Sequence, residues 1–307
     1  MIKLLITALL LSASTVFAGP WTAREVNLIV PFLPGGASDL IARKTSMILS
    51  NRFPDNIFVV KYMPGASNMV AINNVLSDRD INNTFIVSND DMITGPMSQG
   101  KDSYNEFVVT NIIGQSPYML ATSNRNNVSD FYNIIKNRGS LMFGSNGIGA
   151  GPALWLSSLS GSVTKWENIP YKGAPAIITD VMSGNVNYAV MSSFNMDEYA
   201  RDNRVIPLMI SSATRLKQYP EVPTFQELGF RGHPDGIYYA VYAKKGASQA
   251  IVEEVNRAIR DAQKSGAYQD FEQKTLIVTA LDLKKSNQYF QNAIKQKQLF
   301  YKNLRQE

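Results

Sequence analysis

Two glycine-rich segments carry the residues of this sequence best suited to binding a small acid. The first spans residues 32–39 (FLPGGASD) and the second spans residues 144–152 (GSNGIGAGP). Each follows a strand-like run and precedes a helical one, so each would present unpaired backbone N–H groups and the positive end of a helix dipole. Facing each other across a cleft, they would bind an anion with a carboxylate at each end without needing arginine.

The alternative for both segments is structural. Glycines also make tight turns, and Ser38 could simply cap the helix that follows it. The sequence leaves the two interpretations open, and finding the same design twice is what favours binding.

Side chains that perform most catalysis are scarce. The 307 residues include no Cys and a single His, His233. A thiolate nucleophile, a zinc ribbon, an iron–sulfur cluster and a multi-histidine metal site are therefore excluded. A Ser-His-Asp triad has one possible base, and His233 lies in a turn-rich stretch with no nearby pairing of an acidic and a hydroxyl residue in sequence. We expect no enzyme activity, no cofactor and no metal.

A serine acylase of the penicillin-binding type remains a distant alternative. Residues 162–165 fit S-x-x-K, residues 193–195 fit S-x-N and residues 264–266 fit K-[ST]-G, in the required order. That mechanism needs Ser and Lys one turn apart on a helix, whereas residues 162–165 lie between a predicted helix and strand. The last motif ends an amphipathic helix instead of lying on a strand.

A dinucleotide-binding enzyme has weaker support. Gly147 and Gly149 supply the first half of G-x-G-x-x-G between a strand and a helix, but the third glycine would be residue 152, which is Pro.

Composition and the first residues indicate an exported globular protein. Hydrophobic residues make up 45% of the chain and charged residues 18%, which excludes disorder and suits one or two domains. Lys3, the apolar run 4–11 and small residues ending at Ala18 predict a signal peptide over residues 1–18, cleaved before Gly19. The run is too short to span a membrane. We expect a soluble, monomeric, periplasmic protein.

The net charge of +5 is scattered along the chain. Nucleic-acid binding would need a basic stripe with interleaved aromatic residues, and none is present. We therefore expect no nucleic-acid partner.

Strand-like and helical runs alternate along the chain, which predicts an α/β protein with largely parallel sheets. The predicted strands are residues 26–32, 57–62, 84–88, 107–113, 117–123, 141–144, 166–171, 188–191, 205–210 and 237–243. The clearest predicted helices are residues 38–52, 175–183, 248–264 and 286–304, with a further helix starting at Pro152.

Residues 26–39 (VNLIVPFLPGGASD) closely resemble the opening of the substrate-binding receptors of tripartite tricarboxylate transporters, also called Bug receptors, with their IVPFxPGGxxD signature. Further similarities follow in the family's order across essentially the whole chain after residue 18. They are residues 63–66 (MPGA), 143–145 (FGS), 169–173 (IPYKG) and 219–229 (YPEVPTFQELG).

The resemblance implies a type II periplasmic binding protein fold, with two α/β lobes, a two-strand hinge and a ligand cleft between the lobes. Lobe one would comprise residues 19–117 plus 243–307, and lobe two residues 118–242. The chain would cross between the lobes within residues 117–123 and 237–243. Lobe closure on the ligand would then present a composite surface to a partner.

The function implied by the resemblance is capture of a small carboxylate and its delivery to integral-membrane permease subunits. Presentation of the ligand to a membrane sensor kinase is the alternative that the sequence leaves open. The family's binding residues carry over onto the following positions: Phe32, Gly36, Ala37, Ser38, Asp39, Ser88, Asn89, Ser145, Asn146, Gly147, Gly149, Ser192 and Asn195. Among them we expect Asp39 to complete the end of its helix instead of touching a carboxylate.

Three departures from the family pattern bear on the ligand. Ala150 and Ala153 stand where relatives often show a hydroxyl and a histidine, and Ser192 stands where an Asp is common. Fewer polar side chains predict a ligand that is less polar or smaller than citrate. Without the Asp, an amino-acid ligand would lack an anionic partner for its ammonium group.

Overall fold

The computed structural model describes residues 20–21, 23–123, 128–137, 139–159, 165–232 and 236–304. The predicted signal peptide, Ser162 of the acylase motif and His233 lie outside these described residues.

Strands and helices alternate through most of the chain. The strands are β1 (Glu25–Val30), β2 (Ile57–Tyr62), β3 (Thr84–Asn89), β4 (Phe107–Ser123), β5 (Ser140–Ser145), β6 (Lys165–Pro170), β7 (Tyr188–Ser192), β8 (Val205–Ile210), β9 (Gly236–Lys244) and β10 (Ile277–Val278). The helices are α1 (Ala37–Arg52), α2 (Met69–Ser77), α3 (Asp91–Ser98), α4 (Val128–Lys136), α5 (Gly151–Ser158), α6 (Ala174–Ser183), α7 (Ser193–Arg201), α8 (Gln249–Lys264), α9 (Gln269–Glu272) and α10 (Leu283–Leu304), with a short 3₁₀ turn at Ser103–Glu106.

The strands form one continuous sheet with two sections joined through β4. In the first section the order is β2-β1-β3-β9-β4, and β10 pairs with β4 from the other side. In the second section β4 continues into β7, β5 and β6, and β8 pairs with β4 on its other edge. The pairs β1–β2, β1–β3, β5–β6 and β5–β7 are parallel, and the ladders of β4 and β9 are antiparallel. The predicted α/β class is confirmed.

The two strands predicted at 107–113 and 117–123 are one strand, so that prediction was wrong. The first part of β4 pairs with β9, and residues 118–122 pair with β7 in the second section. Gly114 does not break the strand. A Cβ at Gly114 would lie 2.6 Å from the carbonyl oxygen of Ile277, so the glycine admits the backbone of β10.

Helices on both faces of the sheet bury the strands, which explains their nearly continuous apolar sequences. In β1, the four residues Val26 and Leu28–Val30 are all buried. Helix α1 buries Ile41, Thr45 and Leu49, which recur at helical spacing on one face. One hydrophobic cluster runs from the first section into the second, and a further cluster covers the opposite face of each section.

Several short helices escaped prediction. Helix α3 contains Gly95 and Pro96, two residues that normally disfavour a helix, so its sequence did not predict one. The residues inside this helix are buried. Within the described residues, no helix has both the length and the apolar character that crossing a membrane requires.

Candidate functional site

The two glycine-rich segments lie at the carboxyl ends of β1 and β5, the edge where parallel α/β sheets usually bind ligands. A cavity of about 350 Å³ lies between them. Both segments contribute to its wall. The lining residues are Pro31, Phe32, Gly65, Ala66, Ser67, Asn68, Ser98, Gln99, Asn146, Gly147, Ile148, Pro170, Tyr171 and Lys172.

The cavity favours negative charge. Of the described residues that line it, Lys172 alone is charged, and its side chain is exposed. The hydroxyl of Tyr171 donates to Asp180 Oδ2 at 2.7 Å, and burial together with this carboxylate raises the pKa of Tyr171 to about 12. Tyr171 therefore stays neutral, and none of the described lining residues is a carboxylate that would repel an acid.

Two buried amides line the cavity with an unsatisfied oxygen. The Oδ1 atoms of Asn68 and Asn146 have no hydrogen-bond partner among the described residues, and the two residues are 1% and 9% exposed. The amide nitrogen of Asn68 donates to Ser88 Oγ at 2.9 Å. A buried acceptor without a donor is costly, so these oxygens are suited to a ligand that brings hydrogen-bond donors.

Two backbone N–H groups at the start of α1 already have acceptors within the protein. The backbone N–H of Ala37 donates to Asn195 Oδ1, from the second section, at 2.7 Å. The N–H of Gly35 donates to Asp39 Oδ2 at 2.8 Å. Ser38 Oγ is buried without a partner among the described residues. Gly36 is the N-cap in an extended conformation.

The Asp39 carboxylate is bound by residues of the first section of the sheet and its helices. Its Oδ1 accepts from Arg43 Nε and from the Tyr62 hydroxyl, both at 2.7 Å. The hydrogen bond to Asp39 raises the pKa of Arg43, and partial burial beside Asp39 raises the pKa of Tyr62. Asp39 thus closes the turn before α1, and it does not line the cavity.

The amino-terminal end of α5 receives a carboxylate from the opposite section. The N–H of Gly151 donates to Asp91 Oδ1 at 2.9 Å. Asp91 is buried, and desolvation raises its pKa despite the hydrogen bonds that it accepts from Gly151 and Thr94. An own-chain carboxylate therefore occupies the position at which a ligand carboxylate was expected.

The second glycine-rich segment packs tightly against the first section. Gly147 has φ +148°, and a Cβ there would lie 2.5 Å from Ser67 Oγ. A Cβ at Gly149 would lie 2.6 Å from Ser98 Cβ. Ser145 Oγ lies 2.7 Å from Asn168 Oδ1 and 2.9 Å from the Gly147 carbonyl oxygen, so it holds the turn from within.

The remaining predicted residues make hydrogen bonds at the carboxyl ends of β3 and β7. Ser192 is the N-cap of α7, accepting from the Asn195 N–H at 3.1 Å, and its hydroxyl lies 2.6 Å from that of Tyr239. Asn89 accepts from the N–H of Asp91 at 2.9 Å. Ser88 reaches the cavity only through Asn68. Of the thirteen predicted residues, Phe32, Asn146 and Gly147 line the cavity.

Most of the residues that line the cavity were not predicted from the sequence as site residues. Residues 65–68, Ser98, Gln99 and Lys172 were not predicted as site residues, although they line the cavity. The stretches at 63–66 and 169–173 were noted as family motifs, and that resemblance could have placed them here. The backbone N–H of Leu33 donates to the Lys172 carbonyl oxygen at 3.2 Å, which joins the first glycine-rich segment to the motif at 169–173.

Known proteins resemble this chain over most of its length. BugT of Bordetella pertussis is 27% identical over 268 residues, which are 83% of this chain and 81% of BugT. The R. palustris protein Rpa4515, solved with adipate, superposes with a TM-score of 0.81 at 22% identity over 92% of this chain and 97% of its own. MatC from Rhodopseudomonas palustris, with bound malate, gives a TM-score of 0.75 at 20% identity over 90% and 98%.

The structural likeness establishes the fold, which is that of type II periplasmic binding proteins, as predicted. The family described as "Tripartite tricarboxylate transporter family receptor" matches residues 41–305. The match covers far more than half of the sequence and confirms the resemblance noted above. The chain is therefore a member of the tripartite tricarboxylate transporter receptor family.

Proposed function

We propose that this protein captures a small carboxylate in the cavity between its two lobes and delivers it to a tripartite tricarboxylate-type permease in the membrane. One observation carries the proposal: the cavity is bounded by both glycine-rich segments, and the described residues of its wall include one cation, Lys172, and no carboxylate. Such a wall attracts an acid and disfavours cationic ligands.

In this proposal lobe one comprises residues 19–117 and 243–307, and lobe two residues 118–242. Because β9 pairs with β3 and β4 over Gly236–Lys244, the second crossing between the lobes would lie close to Gly236. The hydrogen bonds from Leu33, Ala37 and Gly151 to the opposite lobe would break on opening and re-form on closure. Ligand bound between the lobes would shift this equilibrium toward the closed form.

Export completes the proposal. Residues 1–18 would direct the chain to the periplasm and be removed before Gly19. There the receptor would act as a monomer and present its closed form to the permease. Relatives solved with adipate and malate support a carboxylate as the cargo.

The first test is to identify the cargo directly. Mass spectrometry of small molecules released on denaturing gently purified protein should detect an organic acid. Calorimetry with adipate, malate, aromatic monocarboxylates and glutamate should then show binding of at least one non-amino acid carboxylate. Tightest binding of glutamate would contradict the proposed ligand class, and binding of none of these acids would contradict the carboxylate function.

Lys172→Met tests the charge of the cavity, with Lys217→Met as the matched control. Both lysines are exposed, and only Lys172 lines the cavity. Loss of one charge-assisted contact should weaken carboxylate binding by about tenfold and reduce its dependence on salt. Equal effects of the two substitutions would remove the support that Lys172 gives to the proposal.

A further inference from the structure

We propose that the cavity selects a monocarboxylate that carries a hydroxyl group, and that it disfavours dicarboxylates. The inference rests on the proposed function and narrows its ligand class. Three features lead to it. The first backbone N–H of α1 and that of α5 are each bonded to an acceptor of the protein itself, the described residues of the wall include a single cation, and two buried amide oxygens lack donors among the described residues.

A dicarboxylate needs two places for negative charge. The two helix ends at the cleft would be the natural places, since each offers backbone N–H groups and a positive dipole end. In this protein the Ala37 N–H is bonded to Asn195 Oδ1 and the Gly151 N–H to Asp91 Oδ1. Lys172 remains as the one charged group among the described lining residues, enough for one carboxylate.

Asp91 also opposes a second ligand carboxylate by its charge. It begins α3, and Ser98, the last residue of that helix, lines the cavity. At 1.5 Å per residue the two lie about 10 Å apart along the helix. Although Lys297 offsets part of its charge, the buried Asp91 carboxylate repels a second anion that enters the cavity from the α5 side more than it repels a neutral group.

The ligand's uncharged end has partners of a different kind. Asn68 Oδ1 and Asn146 Oδ1 are buried acceptors that lack a donor among the described residues. A carboxylate cannot satisfy them, because an ionised carboxyl group has no proton to donate. A hydroxyl group can donate to either oxygen, while the apolar surfaces of Phe32 and Ile148 accommodate the carbon chain.

Three acids that share one carbon skeleton separate these contributions. Calorimetry on the mature protein would compare 6-hydroxyhexanoate, adipate and hexanoate, which end in a hydroxymethyl, a carboxylate and a methyl group respectively. We expect 6-hydroxyhexanoate to bind about tenfold more tightly than adipate and about threefold to tenfold more tightly than hexanoate. Adipate binding as tightly as 6-hydroxyhexanoate would overturn the inference and leave the carboxylate receptor standing. Absence of binding by all three acids, by malate and by the aromatic monocarboxylates would instead overturn the proposed function.

Two variants assign the selectivity to named groups. Asp91→Asn keeps an acceptor for the Gly151 N–H and removes the charge, so the affinity of adipate relative to 6-hydroxyhexanoate should rise about threefold to tenfold. Asn146→Ala, which unlike Asn68 has no positive φ to strain, should erase most of the advantage of 6-hydroxyhexanoate over hexanoate. Unchanged ratios in both variants would overturn the inference even if the wild-type preference were observed.

Discussion

The two glycine-rich turns look alike in sequence but are completed differently in the structure. The turn before α1 uses its own Asp39 to bind the Gly35 N–H and receives a neutral amide oxygen, from Asn195, on the Ala37 N–H. The turn before α5 has no side-chain cap of its own, and the carboxylate of Asp91 accepts from the Gly151 N–H from the opposite section of the sheet.

This difference assigns unequal roles to the two turns. A neutral acceptor such as Asn195 can separate from the Ala37 N–H at small electrostatic cost. A buried carboxylate such as Asp91 cannot be displaced without leaving a charge in an apolar setting. We infer that the α1 turn is the adaptable side of the cleft and that the α5 turn is its fixed side as long as the cleft stays closed.

The largest expected effect comes from closing the space between the α5 turn and α3. In Gly149→Ala the new Cβ would lie 2.6 Å from Ser98 Cβ, a contact that changing Ser98 to Ala would not relieve. In Gly36→Ala the new Cβ would lie 3.5 Å from Asn195 Oδ1, an ordinary contact. Overpacking of about 1–3 kcal/mol should lower the closed-to-open ratio at least fivefold in Gly149→Ala, and much less in Gly36→Ala.

Small-angle X-ray scattering measures this difference without any ligand. Gly149→Ala should have a larger radius of gyration than the wild type, and Gly36→Ala a radius close to the wild-type value. Identical scattering from both variants would mean that the α5 turn does not limit closure.

An intermediate effect is expected from removing each acceptor. Asp91→Ala deprives both the Gly151 N–H and Thr94 of a partner, whereas Asn195→Ala deprives only the Ala37 N–H. The expected losses in free energy of unfolding are about 2 kcal/mol and about 1 kcal/mol respectively, measured by urea denaturation. A greater loss in Asn195→Ala would reverse the assignment of the fixed and adaptable turns.

The smallest effect concerns two tyrosines that pair with carboxylates on either side of the cleft. Tyr171 donates to Asp180 in the second section, and Tyr62 donates to Asp39 in the first section. Burial chiefly, with help from Asp180, raises the pKa of Tyr171 from its ordinary value of 10.0 to about 12. The pKa of Tyr62 is also raised, for the same kinds of reason.

A raised tyrosine pKa means that folding favours the neutral phenol. The stability that Tyr171 contributes should therefore be complete below about pH 10 and disappear as the pH rises toward about 12. Urea denaturation of the wild type and Tyr171→Phe across this range should show their difference in free energy of unfolding shrinking with pH. Tyr62→Phe is the matched comparison, and a difference that grows with pH in either case would contradict the assignment.

Hydrophobic periodicity and turn residues alone placed most of the framework. The strands at residues 57–62 and 205–210 were predicted with the bounds they have, and the helix at 175–183 begins one residue late. These elements follow from local patterns. A strand with helices on both faces is continuously apolar. Gly184, with φ +84°, ends α6 in the conformation that glycine favours. The order of the motifs was enough to predict the family and the fold.

Tertiary structure alone decided which groups meet at the cleft. Asn195 reaches Ala37 across 158 positions, and Asp91 reaches Gly151 across 60. No local pattern encodes such pairs, because they depend on how the two sections of the sheet are joined. The same holds for β4, whose continuity across Gly114 depends on its long-range partners β9 and β10. Sequence thus supplied two backbone turns able to hold an acid, whereas long-range packing filled one with an amide and the other with a carboxylate.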